Sequence, residues 1–72
     1  MTEWIDVTDS SRITAAAFDP SREAILVRFP GGVEWQYLGC PEHVWEEFMS
    51  PGNSKGRFIN NVLNYQTHGP LS

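Results

Sequence analysis

The stretch EAILVRFPGGVEWQYLGCPEHVWEEFM, residues 23–49, changes its hydrophobic period midway, and that change sets the fold. In EAILVRF, Ile25, Val27 and Phe29 alternate with Ala24, Leu26 and Arg28, so the two sets lie on opposite faces of a strand. In VEWQYLG, Val33, Trp35 and Tyr37 share one face, with Glu34, Gln36 and Leu38 on the other. The Pro30-Gly31-Gly32 segment between them supplies a reversal. Short turns favour an antiparallel meander, because parallel neighbours need long crossovers. After Cys40 the period lengthens. Val44, Trp45, Phe48 and Met49 make one stripe of a helix, and Glu42, His43, Glu46 and Glu47 face away. Pro41 suits a helix start, and Glu42 suits its positive end.

The flanks extend this pattern. Upstream, ITAAAF (13–18) reads as a strand that turns at Asp19-Pro20-Ser21. WIDV (4–7) offers an additional edge strand. Downstream, Ser50-Pro51-Gly52-Asn53 stops the first helix, and Ser54 is placed to cap a second. There Phe58, Ile59, Val62 and Leu63 repeat the apolar spacing, while Arg57, Asn60, Asn61 and Asn64 take the opposite side. The expected fold is α+β: an antiparallel meander of three strands, or four with the edge strand, and two C-terminal helices packed on one face. The whole chain, 1–72, reads as one domain, with residues 66–72 (QTHGPLS) expected to be a disordered tail.

With 72 residues the chain has room for one modest core. No apolar run approaches the length of a membrane span. The acidic start MTEWIDV lacks the basic and apolar regions of a signal peptide, and the single cysteine, Cys40, fits a reducing compartment; a cytoplasmic location is expected. Residues 1–49 hold nine acids against three arginines, whereas residues 50–72 hold Lys55 and Arg57 and no acid, which accounts for the net charge of −4. That balance opposes broad nucleic-acid affinity, which depends on phosphate neutralisation. It leaves one locally basic stretch able to steer an anion.

Several side chains qualify as contact residues. Ser54, Lys55, Gly56 and Arg57 open the second helix, where backbone N–H groups, two cations and a residue without a side chain meet. The alternative is a serine cap with two solvated cations. Asn60 and Asn61 on the polar side cost helix propensity, and an amide can read base edges or peptide backbone. Asn60 is expected to be buried as a hydrogen-bonded tie to a loop such as the Pro30-Gly31-Gly32 (PGG) turn, and Asn61 and Asn64 to be on the surface or in partner contacts. Trp35 and Tyr37 are expected in the core rather than as a stacking platform, with the Tyr37 hydroxyl at the rim, which makes Tyr37 a candidate contact residue alongside Ser54, Lys55, Gly56, Arg57, Asn60 and Asn61. Cys40, His43 and His68 are too few and too scattered for zinc, so no metal and no cofactor is expected. No nucleophile–base–orienter set is visible, so no enzymatic activity is expected.

Taken together, FDPSREAILVRFPGGVEWQYLGCPEHVWEEF followed by SPGNSKGRFINNVL resembles the KTSC domain, over roughly residues 11–65. Trp35-Gln36-Tyr37 matches that family's aromatic-x-aromatic motif. Ser54, Gly56, Phe58 and Asn60 match its Ser-x-Gly-x-aromatic-x-Asn pattern. The Phe18-Asp19-Pro20 start and the Cys40-Pro41 helix entry also fit. Trp35 stands where tyrosine is usual, which removes a hydroxyl, and Cys40 stands where an aliphatic residue is usual. The family is named for domains at the C-terminus of some lysyl-tRNA synthetases and also includes stand-alone bacterial proteins. The resemblance implies a small binding module, with RNA as a partner through the synthetase association. The alternative partner is a protein met through the acidic surface of Glu42, Glu46 and Glu47.

Overall fold

The computed structural model of the chain describes residues 3–8 and 10–71. Five strands form one antiparallel sheet in chain order: β1 (Ile5–Asp6), β2 (Ala15–Asp19), β3 (Ala24–Arg28), β4 (Glu34–Tyr37) and β5 (His68–Pro70). Two helices, α1 (Glu42–Phe48) and α2 (Lys55–Asn61), and a 3-10 turn (Leu63–Tyr65) stand between β4 and β5. The α+β meander read from residues 23–49 is therefore present, the WIDV edge strand is β1, and a fifth strand completes the sheet.

Local chemistry explains the turns. Asp19 Oδ1 accepts from the Ser21 backbone N–H at 3.1 Å and from the Ser21 hydroxyl at 2.7 Å, which shapes the β2–β3 loop and lowers the Asp19 pKa. Pro30 and Gly31 form the centre of a type II-like turn closed by Gly32 N–H donating to the Phe29 carbonyl at 3.0 Å. Gly31 has φ 97°, a conformation that L side chains resist. Ser50-Pro51-Gly52-Asn53 repeats the device after α1, with Gly52 at φ 91° and Asn53 N–H donating to the Ser50 carbonyl at 3.3 Å.

The core lies between the sheet and the helices. Ala16, Ile25, Val27 and Tyr37 of the sheet pack with Cys40, Phe48, Ile59 and Leu63, all buried. A chain of rings ties three elements together: Phe18 of β2 stacks on Trp45 of α1 at 5.7 Å, Trp45 meets Phe48 at 6.2 Å, and Phe48 meets Phe58 of α2 at 5.4 Å. The Cys40 backbone N–H donates to the Glu23 carbonyl at 2.7 Å, pinning the helix entry to the β2–β3 loop.

The sheet and its cover depart from the sequence reading at four places, besides the site residues described below. First, the second sheet face is also buried at its centre: Ala17, Ala24 and Leu26 are covered by Trp4, Leu38 and Leu71. Arg28 roofs part of it, with its guanidinium 4.6 Å from the Trp4 ring and 2.8 Å from a Glu34 carboxylate oxygen. Second, Val33, expected on the core face with Trp35, is 56% exposed, because β4 begins one residue later. Third, α2 stops at Asn61, and Leu63 enters the core from the 3-10 turn instead. Fourth, the segment expected to be a disordered tail is ordered as far as Leu71: β5 pairs with β4, and Leu71 N–H donates to the Glu34 carbonyl at 3.1 Å. Thr67, Gly69 and Leu71 are held by a neighbouring strand, a stabilisation that local composition does not record. Ser72 lies outside the described residues.

Candidate functional site

The turn that ends α1 and the helix that follows enclose a surface cleft of about 320 Å³, lined by Glu47, Gly52, Asn53, Ser54, Arg57, Phe58, Asn61 and Val62. Its shape follows from local chemistry. Asn53 Nδ2 donates to the Glu47 carbonyl at 2.8 Å and fixes the turn against α1. Ser54 Oγ accepts from the Arg57 backbone N–H at 3.3 Å and caps α2. Phe58 and Val62, both half-buried, make an apolar floor.

Three of the expected contact residues, Ser54, Arg57 and Asn61, meet in this cleft. Arg57 and Asn61 are exposed, and among the described residues neither side chain has an intramolecular hydrogen bond or ion pair. Glu47, on the opposite wall, is likewise in neither of the ion pairs found among the described residues. The lining thus offers a guanidinium, a carboxylate, a primary amide and a hydroxyl around an apolar base.

The other expected residues lie elsewhere. Lys55 is 4% exposed, not a solvated cation, and its Nζ stands 6.0 Å from the Phe48 ring. It precedes Phe58 and Ile59 by three and four residues and so shares their stripe, a spacing visible in the sequence. Gly56 faces Arg12 rather than a ligand: a Cβ built there would lie 3.5 Å from Arg12 Cβ. Asn60, expected to be buried and to tie down a loop, is exposed, and its Oδ1 accepts from Asn64 Nδ2 at 3.5 Å. The PGG turn needs no such tie, since its own backbone closes it. Tyr37 is 2% exposed and belongs to the core. Burial pushes its hydroxyl pKa up, and the nearby Arg12 charge partly offsets that. Trp35 is half-buried against the same cluster.

Gly52 and Asn53 were not anticipated as site residues, and Glu47 was expected only on an acidic surface for a protein partner, not in this cleft. Asn53 carried a signal as the last member of a Pro-Gly turn beside the cap. Glu47 carried none that distinguishes it from Glu46. Cys40 is fully buried and its thiol is pushed up in pKa by that burial, so it packs like the aliphatic residue it replaces. No cluster of three metal-ligating side chains occurs among the described residues, and no helix there is long and apolar enough to cross a membrane.

Comparison with known proteins agrees with this architecture. A protein of Tsukamurella paurometabola is 34% identical over 55 residues, covering 76% of this chain and 81% of the relative. The crystal structure of a KTSC domain protein from Yersinia pestis superposes with a TM-score of 0.86 at 32% identity, over 100% of both chains. The KTSC domain model matches residues 9–65, a span that includes all but the ends of the fold described above. The chain belongs to the KTSC domain family.

Proposed function

We propose that this chain is a small, non-enzymatic, stand-alone cytoplasmic module that binds single-stranded RNA at the α1–α2 cleft. One observation carries the reading: Ser54, Arg57 and Asn61 line one cleft, and the Arg57 and Asn61 side chains make no hydrogen bond or ion pair among the described residues. A guanidinium is suited to phosphate, an amide to base edges and a partly open aromatic ring to a base face. Seven of the eight lining residues come from residues 50–72, which contain no acid; Glu47 of α1 supplies the one carboxylate. The domain's occurrence in lysyl-tRNA synthetases, implied by the family resemblance, supports the same partner. Titration of labelled single-stranded RNA at low salt tests it. Binding at micromolar protein is expected, weakened several-fold by Arg57→Ala with Asn61→Ala. No binding, or binding indifferent to that pair, overturns it.

A second reading is a protein contact through α1. Glu42, Glu46 and Glu47 are all exposed on one helix, and none joins an ion pair among the described residues. A basic partner would complement them. Glu42→Lys with Glu46→Lys should abolish capture of such a partner, and unchanged capture removes this reading.

A further inference from the structure

We infer that the cleft is a single-nucleotide pocket selective for guanine, a specificity that rests on the RNA-binding reading above. Glu47 points to this specificity. A site built only for phosphate gains nothing from a carboxylate on its wall, because like charges repel. Yet Glu47 lines the same cleft as Arg57, and neither group joins an ion pair among the described residues. The two charges are therefore available to two different parts of one ligand.

The donor and acceptor chemistry identifies those parts. A carboxylate only accepts hydrogen bonds, and it presents two oxygens side by side. The nucleobase that answers it must carry two adjacent donors on one edge. Guanine does, with N1–H and the N2 amino group. Adenine and cytosine each place their amino group beside an acceptor nitrogen, and uracil has one N–H between two carbonyls. Arg57, a donor-only group with a planar fork, then takes the attached phosphate. The Asn61 amide and the Ser54 hydroxyl remain for the sugar or the second base edge. Phe58 and Val62 form the floor on which the base lies. The volume, about 320 Å³, is near the lower bound for ligand pockets and suits one nucleotide rather than a run.

The test uses the full chain and four labelled RNAs of about eight nucleotides, all uridine except for one central U, G, A or C. The guanine-containing RNA should bind about tenfold tighter than the other three. Glu47→Gln keeps a good helix former at an exposed position, and circular dichroism verifies its fold. This variant should bring the four affinities together while tightening the all-uridine RNA, because one negative charge is gone. Arg57→Ala should weaken all four alike and leave the guanine preference. Equal affinities in the natural chain overturn guanine selectivity while RNA binding stands. A preference that survives Glu47→Gln overturns the role given to Glu47. Failure to bind any of the four overturns the RNA reading itself.

Discussion

The His68 ring stands 5.6 Å from the Tyr37 ring, tilted 44° to it, directly across the β4–β5 ladder. His68 Nδ1 lies 2.8 Å from the Gln66 carbonyl oxygen, which can only accept, so that nitrogen carries the proton. The last strand thus covers the edge of β4 with backbone pairing and a fixed ring, and its neighbour Leu71 helps cover the second sheet face. Ending the chain at residue 65 should cost about 3–5 kcal/mol from lost ladder bonds and apolar cover. That is a large share of what a domain this small holds. Urea unfolding of the truncated chain measures it, and a change under 1 kcal/mol would mean β5 contributes little.

The buried thiol and phenol should make the protein sensitive to alkali. Burial raises the pKa of Cys40 above 9.0 and of Tyr37 above 10.0. The unfolded chain therefore loses these protons first. Stability from both groups is complete below about pH 9, declines as pH rises past the unfolded values, and levels off only once the folded groups ionise. Cys40→Val should remove the first part of the decline and Tyr37→Phe the second, in denaturation curves recorded from pH 7 to 11.

Ser54 and Gly56 separate folding from recognition. Ser54→Ala removes the cap on Arg57 N–H and should cost about 1 kcal/mol, whereas Ser54→Gly should cost a few tenths. Gly56→Ala adds a methyl at 3.5 Å from Arg12, an ordinary contact, and restores helix propensity. It should stabilise the fold by about 0.5–1 kcal/mol. If Gly56→Ala instead weakens RNA binding without changing stability, the residue is there for the ligand.

Glu23 holds a left-handed backbone, φ 50°, at the end of the β2–β3 loop. Its carbonyl holds the Cys40 N–H, so the strain is retained by the helix entry it anchors. Glu23→Gly should stabilise the protein by about 1 kcal/mol, because the backbone bond survives and the steric cost vanishes. A loss of stability in thermal melts would show that the side chain matters more than its backbone.

Much of this architecture was readable from period alone. The alternation of Ile25, Val27, Trp35 and Tyr37 and the stripes of Phe48, Ile59 and Leu63 are strong signals, because each element must bury one face. The burial of Lys55 was readable too, from its spacing to Phe58 and Ile59, but its charge masks the pattern. The second sheet face was obscured because Ala15, Ala17 and Ala24 are small enough to be covered by a few side chains from distant elements. β5 was hidden because His68-Gly69-Pro70 has no strand propensity of its own and gains its order from β4. In the cleft, Ser54, Arg57 and Asn61 could be proposed from residue type. Glu47 could be read only as part of the acidic face of α1, since it is the Asn53 bond to its carbonyl that shows how the turn folds back and brings it to the cleft.

Strand order that follows chain order also has a kinetic consequence. The β2–β3 and β3–β4 hairpins close over four and five residues, whereas β4 and β5 must meet across residues 38–67. Closing short loops costs less entropy, so the central hairpins are expected to assemble before the rate-limiting barrier and the last strand to dock after it. In stopped-flow experiments, Leu26→Ala should slow refolding, while Leu71→Ala, which uncovers the second sheet face from the last strand, should chiefly hasten unfolding.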